Sequence, residues 1–310
     1  MRISAYLIAP LAAFLLLGCA VHKVDEEPEG RLPEYAQYTD PPAVTNPLPS
    51  PWWKAFGDEN LNTLIEESLG SNYQVAELVA RYRGSLALTD EARALRFPAV
   101  DAVAEEAIEI NDSDFRNFTE LGGALFWEVD LFNRLGYRES AFRAEAKASA
   151  EDLDALRLTL SAEIAETYYS AIEEKLRLEL LRDQRERDSL LLELTELRFV
   201  QGVSSAVDVL QQRSQLDDTV SLIPSSEAAY VVFENRLDVL AGQAPDGSFR
   251  TPEDGDFPVL GSPPPVGIPS ELLLNRPDLR ALKYSLVADD NRIGQAIAER
   301  LPNFTITGDY

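Results

Sequence analysis

Between Arg134 and Val200 the chain has no proline and, after Gly136, no glycine. Those two residue types end helices, and the leucine, alanine, glutamate and arginine that fill this stretch favour them. More than 60 consecutive residues of this kind predict a helical rod roughly 100 Å long. Its apolar positions Leu153, Leu156, Leu160, Ile164, Tyr168 and Ile172 step by three or four, as coiled-coil packing requires. The rod should break at Gly202, with Arg198-Phe199-Val200-Gln201-Gly202-Val203-Ser204-Ser205 as the turn. A second helix is expected to return from Ala206 through Val209, Leu210, Leu216 and Val220. Pro224 should bend or split it, and Gly242 with Pro245 beyond should end it. Whatever else the chain does, it must house a long helical hairpin.

Ahead of the rod the periodicity changes from helix to strand. Asp58 is a good N-cap for a helical pattern running from Leu61 to about Arg96 and ended by Pro98. From Ala99 to Ile110, Val100, Ala102 and Ala104 alternate with Asp101, Val103 and Glu105. Asn111-Asp112-Ser113-Asp114 reads as a polar turn. From Thr119 to Leu131 the alternation is clearer, with Leu121, Gly123, Leu125, Trp127, Val129 and Leu131 on one face. A lipid-facing strand with a polar inner face, Trp127 at the interface, has this pattern; so does a half-buried soluble hairpin.

The helix-proline-strand pattern also occurs twice, 204 positions apart: Leu69 to Val100, and Leu273 to Phe304. So long a period implies an internal duplication. If the second copy mirrored the first, about 140 further residues would follow Tyr310, so the chain is expected to be the front part of a longer protein.

The N-terminus bears on the compartment. Arg2 precedes an apolar run from Ile3 to Leu17 that suits a signal-peptide core. Cys19, the single cysteine, follows Leu16-Leu17-Gly18, the pattern of a bacterial lipoprotein cleavage site; an ordinary signal peptide with a chance cysteine near its end is the alternative. Acylation there would give a stable anchor, and Ala20 in place of aspartate favours the outer membrane over the inner one. Glu26 to Pro51 is proline-rich and without apolar period, as an extended tether would be. Trp52, Trp53 and Phe56 read as an aromatic plug docked beside the first helix.

Charge and chemistry exclude several classes. With 28 basic against 53 acidic residues the chain carries −25, which disfavours nucleic acid and anionic lipid surfaces. The acidity reads first as solvated helix surface, with an acidic water-filled lumen as the alternative. No apolar run after Leu17 is long enough for a transmembrane helix. His22 has no cysteine or second histidine near it, so no metal is expected. There is no nucleophile elbow and no phosphate-binding glycine loop, and an enzyme with a cofactor is not expected. No methionine follows Met1, which argues against a thioether relay for copper or silver.

Together these residues resemble the TolC family of outer-membrane factors, in its lipidated branch that serves RND-type drug efflux. The motifs are Trp52-Trp53 to Asp58 with Leu61 and Leu64, Phe126-Trp127-Glu128-Val129-Asp130-Leu131-Phe132, and the Arg198 to Asp208 turn. Leu240-Ala241-Gly242 and Arg276-Pro277-Asp278-Leu279 complete the set, which spans the chain from Cys19 onward. The resemblance implies a mainly α fold with membrane β-strands: helical hairpins in a periplasmic α-barrel, and strands given to a shared outer-membrane β-barrel. It implies a homotrimer, contact with outer-membrane lipid, a periplasmic adaptor of the membrane-fusion type and, through it, an RND-type pump. It assigns lipidation to Cys19, adaptor contact to Arg198, Gly202, Val203 and Ser204, and a membrane strand to Leu125, Trp127, Val129 and Leu131. Asn133 and Leu135 stand where the family more often has glycine and valine, with little consequence expected. Gating residues would lie after Tyr310.

The expected division is a signal peptide (1–18), a lipidated tether (19–57), a first repeat (58–242), a linker (243–269) and the start of a second repeat (270–310). The expected function is a passive exit duct. A periplasmic adaptor-type lipoprotein and a duct for type I protein secretion are the alternatives. An adaptor should flank its hairpin with a lipoyl-like β-domain, and the sequence has none.

Overall fold

Asp58 opens helix α1, Glu59–Ser71, by accepting hydrogen bonds from the amides of Asn60 and Leu61 at 2.9 and 3.1 Å. The computed structural model describes residues 20–25, 51–111, 114–258 and 275–310. The signal peptide, Cys19, nearly all of the proline-rich tether, Asp112-Ser113 and the later half of the linker lie outside the described residues. After α1 come α2 (Tyr73–Ala94), β1 (Ala99–Asn111), β2 (Asp114–Val129), α3 (Arg134–Val200), α4 (Ala206–Leu240), α5 (Pro277–Ala298) and β3 (Phe304–Asp309). The fold is therefore mainly helical with a few strands, as expected.

The described residues form two compact units. One holds 20–25, 78–155 and 275–310; the other holds 51–77 and 156–258. In the first, the strands make one antiparallel sheet in the order β1-β2-β3. Arginines join its helices: Arg280 donates to Glu151 at 2.8 Å, and Arg292 pairs with Glu145.

In the second unit the core forms where α1, α3 and α4 meet. Leu61, Ile65, Ile164, Tyr168, Ile172 and Leu237 are fully buried. Of the predicted seam only Leu156 is half-exposed. A 3-10 turn, Trp52–Phe56, lays its aromatic rings on this core. Trp52 donates through Nε1 to the Ser161 hydroxyl at 3.1 Å, and Phe56 meets the Tyr169 ring edge-on. Burial here pushes the Tyr169 phenol up to about 12, with Asp58 adding to the effect.

Three boundaries differ from expectation. The helical run from Leu61 to Arg96 is two helices, because Asn72 turns its side chain onto the backbone. Its Oδ1 accepts from the amides of Gln74 and Val75, and its Nδ2 donates to the Leu240 carbonyl at 2.9 Å. Pro224 does not split α4. Bonds to α3 hold the helix on both sides of it: Thr219 donates to Asp188 at 2.8 Å and Ser226 to Glu174 at 2.6 Å. Finally, β2 ends at Val129, so Leu131 lies beyond the strand in which it was expected.

The stretch after α4 is pinned where it can be seen. Glu234, 1% exposed, accepts from the backbone amides of Arg250 at 2.7 Å and Thr251 at 3.3 Å. Arg250 reaches the buried Asp238 at 2.6 Å. Replacing Glu234 by alanine would strand buried donors, and should cost about 2–3 kcal/mol by thermal unfolding in detergent.

Both long helices end on a glycine in the left-handed region, Gly202 at φ +75° and Gly242 at φ +72°. Gly202 has open space around it, whereas a Cβ at Gly242 would sit 2.5 Å from the Ser71 carbonyl. Gly202→Ala should therefore cost roughly 1 kcal/mol of stability, and Gly242→Ala clearly more. Equal losses in the same unfolding assay would contradict this geometry.

Candidate functional site

Two places in the fold carry the sequence-predicted site residues, one in each unit. The first is the sheet. Residues opposite each other in an antiparallel pair share a face. Leu125 lies between Val100 on β1 and Gly308 on β3, Trp127 is opposite Ile306, Val129 opposite Phe304, and Leu121 opposite Ala104. The apolar faces of all three strands thus coincide. On the other face Ala124 lies between Asp101 and Asp309, and Glu128 is opposite Thr305. By register Phe126 and Val103 fall on this face as well.

The apolar face is uncovered: Val100 is 73% exposed and Leu121 76%. An apolar sheet this open suits a lipid solvent and is a liability in water. Among the described residues no helix is long and apolar enough to cross a membrane.

The lower end of β2 is tied to the helices. Trp127 donates through Nε1 to the Arg96 carbonyl at 3.1 Å. Arg134, the first residue of α3, grips Glu128 with two bonds of 2.7 Å. Asn133 turns the chain between them at φ +58°, the one non-glycine residue in the left-handed region among those described. Asparagine is the usual substitute for glycine there, so the departure at this position is conformationally conservative.

The second place is the tip of the hairpin. The amide of Gly202 bonds the Phe199 carbonyl, and that of Val203 the Arg198 carbonyl, both at 2.9 Å. Two bonds of this pattern around a left-handed glycine close the helix end. Ser205 then caps α4 reciprocally with Asp208: the hydroxyl accepts from the Asp208 amide and the carboxylate accepts from the Ser205 amide at 2.8 Å. Bonds from Ser205 and Ser204, with Arg198 nearby, hold the Asp208 carboxyl below the ordinary range.

Arg198, Gly202, Val203 and Ser204 therefore stand together on one rigid turn. Around them Val200, Val203, Val207 and Leu210 are all more than half exposed, an apolar collar at the end of the hairpin. Sequence reasoning missed the capping pair, although Ser205 and Asp208 have the right spacing for it. It also missed the Arg134–Glu128 grip and a bond from His22 to Asp290, the latter because no local signal joins residues so far apart. Among the described residues no group of three or more acidic, histidine or cysteine side chains could hold a metal ion. Cys19 lies outside the described residues.

Known proteins share both the sequence and the architecture. Residues 64–243 match the family described as outer membrane efflux protein. Nodulation protein T of Rhizobium leguminosarum bv. trifolii is 26% identical over 99% of this chain and 67% of its own length. The pyoverdine export outer membrane protein OpmQ of Pseudomonas putida is 30% identical over 82% of this chain and 57% of its own. The solved outer-membrane channel OprN superposes with a TM-score of 0.76 at 30% identity, covering 89% of this chain and 66% of that one. The chain spans 56% to 67% of the curated relatives it matches. With the family match alone covering more than half of the chain, and a sheet and hairpin that a solved channel shares, the protein belongs to the outer membrane efflux family of TolC-type channels, not to a family of enzymes.

Proposed function

We propose that this chain forms part of a passive exit duct in the outer membrane, a homotrimer fed by an inner-membrane RND-type pump through a periplasmic adaptor. The observation that carries the reading is the register of the sheet. It merges three apolar strand faces into one and leaves an acidic face behind it, while the outer edges of β1 and β3 have no partner among the described residues. In lipid every backbone polar group needs an internal partner. Neighbouring strands must therefore close the sheet, and copies of the same chain would supply them.

The hairpin tip supports the adaptor half of the reading. Its turn is rigid, its collar is apolar and exposed, and Gly202 has open space around it. A helical partner laying an apolar stripe on such a collar would bind by shape and burial. The solutes exported would be drugs or other toxic small organic molecules. OpmQ, named for pyoverdine export, makes a small organic cargo reasonable. The Cys19 acyl anchor would hold the N-terminus on the periplasmic side of the outer membrane.

Gly202→Arg should weaken crosslinking of the full-length protein to its adaptor about tenfold while heat-modifiable trimers still insert in the outer membrane. Unchanged crosslinking would remove the tip from the interface. Cys19→Ser should abolish incorporation of labelled palmitate; persistent labelling in that variant would sink the lipoprotein assignment.

A further inference from the structure

The six described residues after Cys19 behave unlike a tether. The backbone amide of His22 donates to the Tyr137 hydroxyl at 2.9 Å, and that hydroxyl donates back to the His22 carbonyl at 2.5 Å. The His22 ring meets the Asp290 carboxylate through Nε2 at 2.7 Å, and the other carboxylate oxygen accepts from the Asp25 amide at 2.7 Å. Two side chains, one from α3 and one from α5, thus hold the segment at four points.

Both holding residues are themselves fixed. Tyr137 is only 3% exposed. Its ring packs over Gly294 of α5, where a Cβ would come within 2.9 Å of it. The absent side chain at 294 is therefore what lets α5 approach Tyr137 closely enough for Asp290, one turn earlier, to reach the segment. Asp290 is held below the ordinary carboxyl range, chiefly by the Asp25 amide. Loss of either side chain would leave backbone groups of the segment without partners.

We propose that residues 20–25 form a clasp that bridges α3 and α5, with Tyr137 and Asp290 as its two positioning residues. The clasp makes the start of the mature chain part of the body on which the sheet stands. In that arrangement an acyl anchor at Cys19 is coupled to the strand bases through a few residues. The clasp also ties α3, in the first repeat, to α5, in the second. This inference rests on the Cys19 reading only for its purpose, since the bonds stand whether or not the cysteine is acylated.

Lys23 offers the test, because its side chain is exposed yet its backbone lies between two fastened residues. A protease must draw such a segment out of place before it can cut. The full chain, extracted from outer membranes in mild detergent so that trypsin reaches every face, with Arg31→Gln to leave Lys23 as the basic residue of the segment, would be treated with trypsin and followed by mass spectrometry for a new N-terminus at Val24. Asp290→Ala should speed that cut about tenfold or more, while cuts within α3 and α4 keep their rates. Tyr137→Phe, which keeps the ring against Gly294 and removes only the hydroxyl, should speed it as well. Asp290→Asn, which still offers the Asp25 amide an acceptor, should fall between. Equal rates at Lys23 in the unsubstituted protein, Asp290→Ala and Tyr137→Phe would overturn the clasp. Cys19→Ser in the same assay separates the two readings: a cut that stays slow without palmitate keeps the clasp and leaves the anchor to its own labelling test.

Discussion

Backbone hydrogen bonding in the sheet is the constraint on which the rest of the structure depends. A strand that meets lipid must satisfy its own amides and carbonyls and must also put one kind of side chain on each face. β1 pairs β2 from Asp114 to Phe126 and β3 pairs it from Ala124 to Val129, so among the described residues the first demand is met on both edges where the two overlap. The register meets the second, since a slip by one residue would carry Leu125 and Trp127 to the side of Asp101 and Asp309. Two ties at the base, the Arg134–Glu128 ion pair and the bond from the Trp127 indole to the Arg96 carbonyl, fix where the strand stops and the helix starts. That junction leaves no freedom for the register to drift.

The hairpin solves a different problem with a small vocabulary. Gly202 and Gly242 end their helices with the same pair of backbone bonds and nearly the same φ. At Gly242 the glycine is a packing requirement, because the α1–α2 junction at Ser71 and Asn72 rests on it and donates to Leu240 and Ala241. At Gly202 nothing rests on it within the chain. There the left-handed backbone alone calls for glycine.

The features legible in the sequence were those with local causes. The bounds of α3 follow from the absence of proline and glycine, the start of α1 from Asp58, and the strand faces from period-two alternation. What stayed hidden depended on distant partners. Asn72 breaks a helix that periodicity alone would continue, and it does so with Leu240 as its third partner. Pro224 should interrupt α4, yet Thr219 and Ser226 fasten the helix to α3 on both sides of it. Glu234 and Asp238 look like surface acids in a helical pattern and turn out to be buried acceptors for the chain that follows. Leu131 extends the alternation beyond the last residue that finds a strand partner. The tip residues fall on one turn, a local feature, whereas the His22 clasp spans most of the chain and left no trace in any window.

The scarcity of cations gives the surplus of acid a spatial meaning. With 28 basic residues against 53 acidic ones, arginines recur at joints between elements. Arg134 joins β2 to α3, Arg280 and Arg292 join α5 to α3, and Arg250 joins the segment after α4 to Asp238. Placed there, each guanidinium offsets a carboxylate that packing has partly removed from water, where an unpaired charge is most costly. Others, such as Glu234, Glu139 and Asp188, are buried against hydrogen-bond donors, and further carboxylates fall on the polar side of the sheet. On that side the register sets Asp101 and Asp309 across Ala124 with no arginine opposite either. Under the proposed closure into a duct this acidic face would line the inside, where low-dielectric walls focus the field of fixed charges.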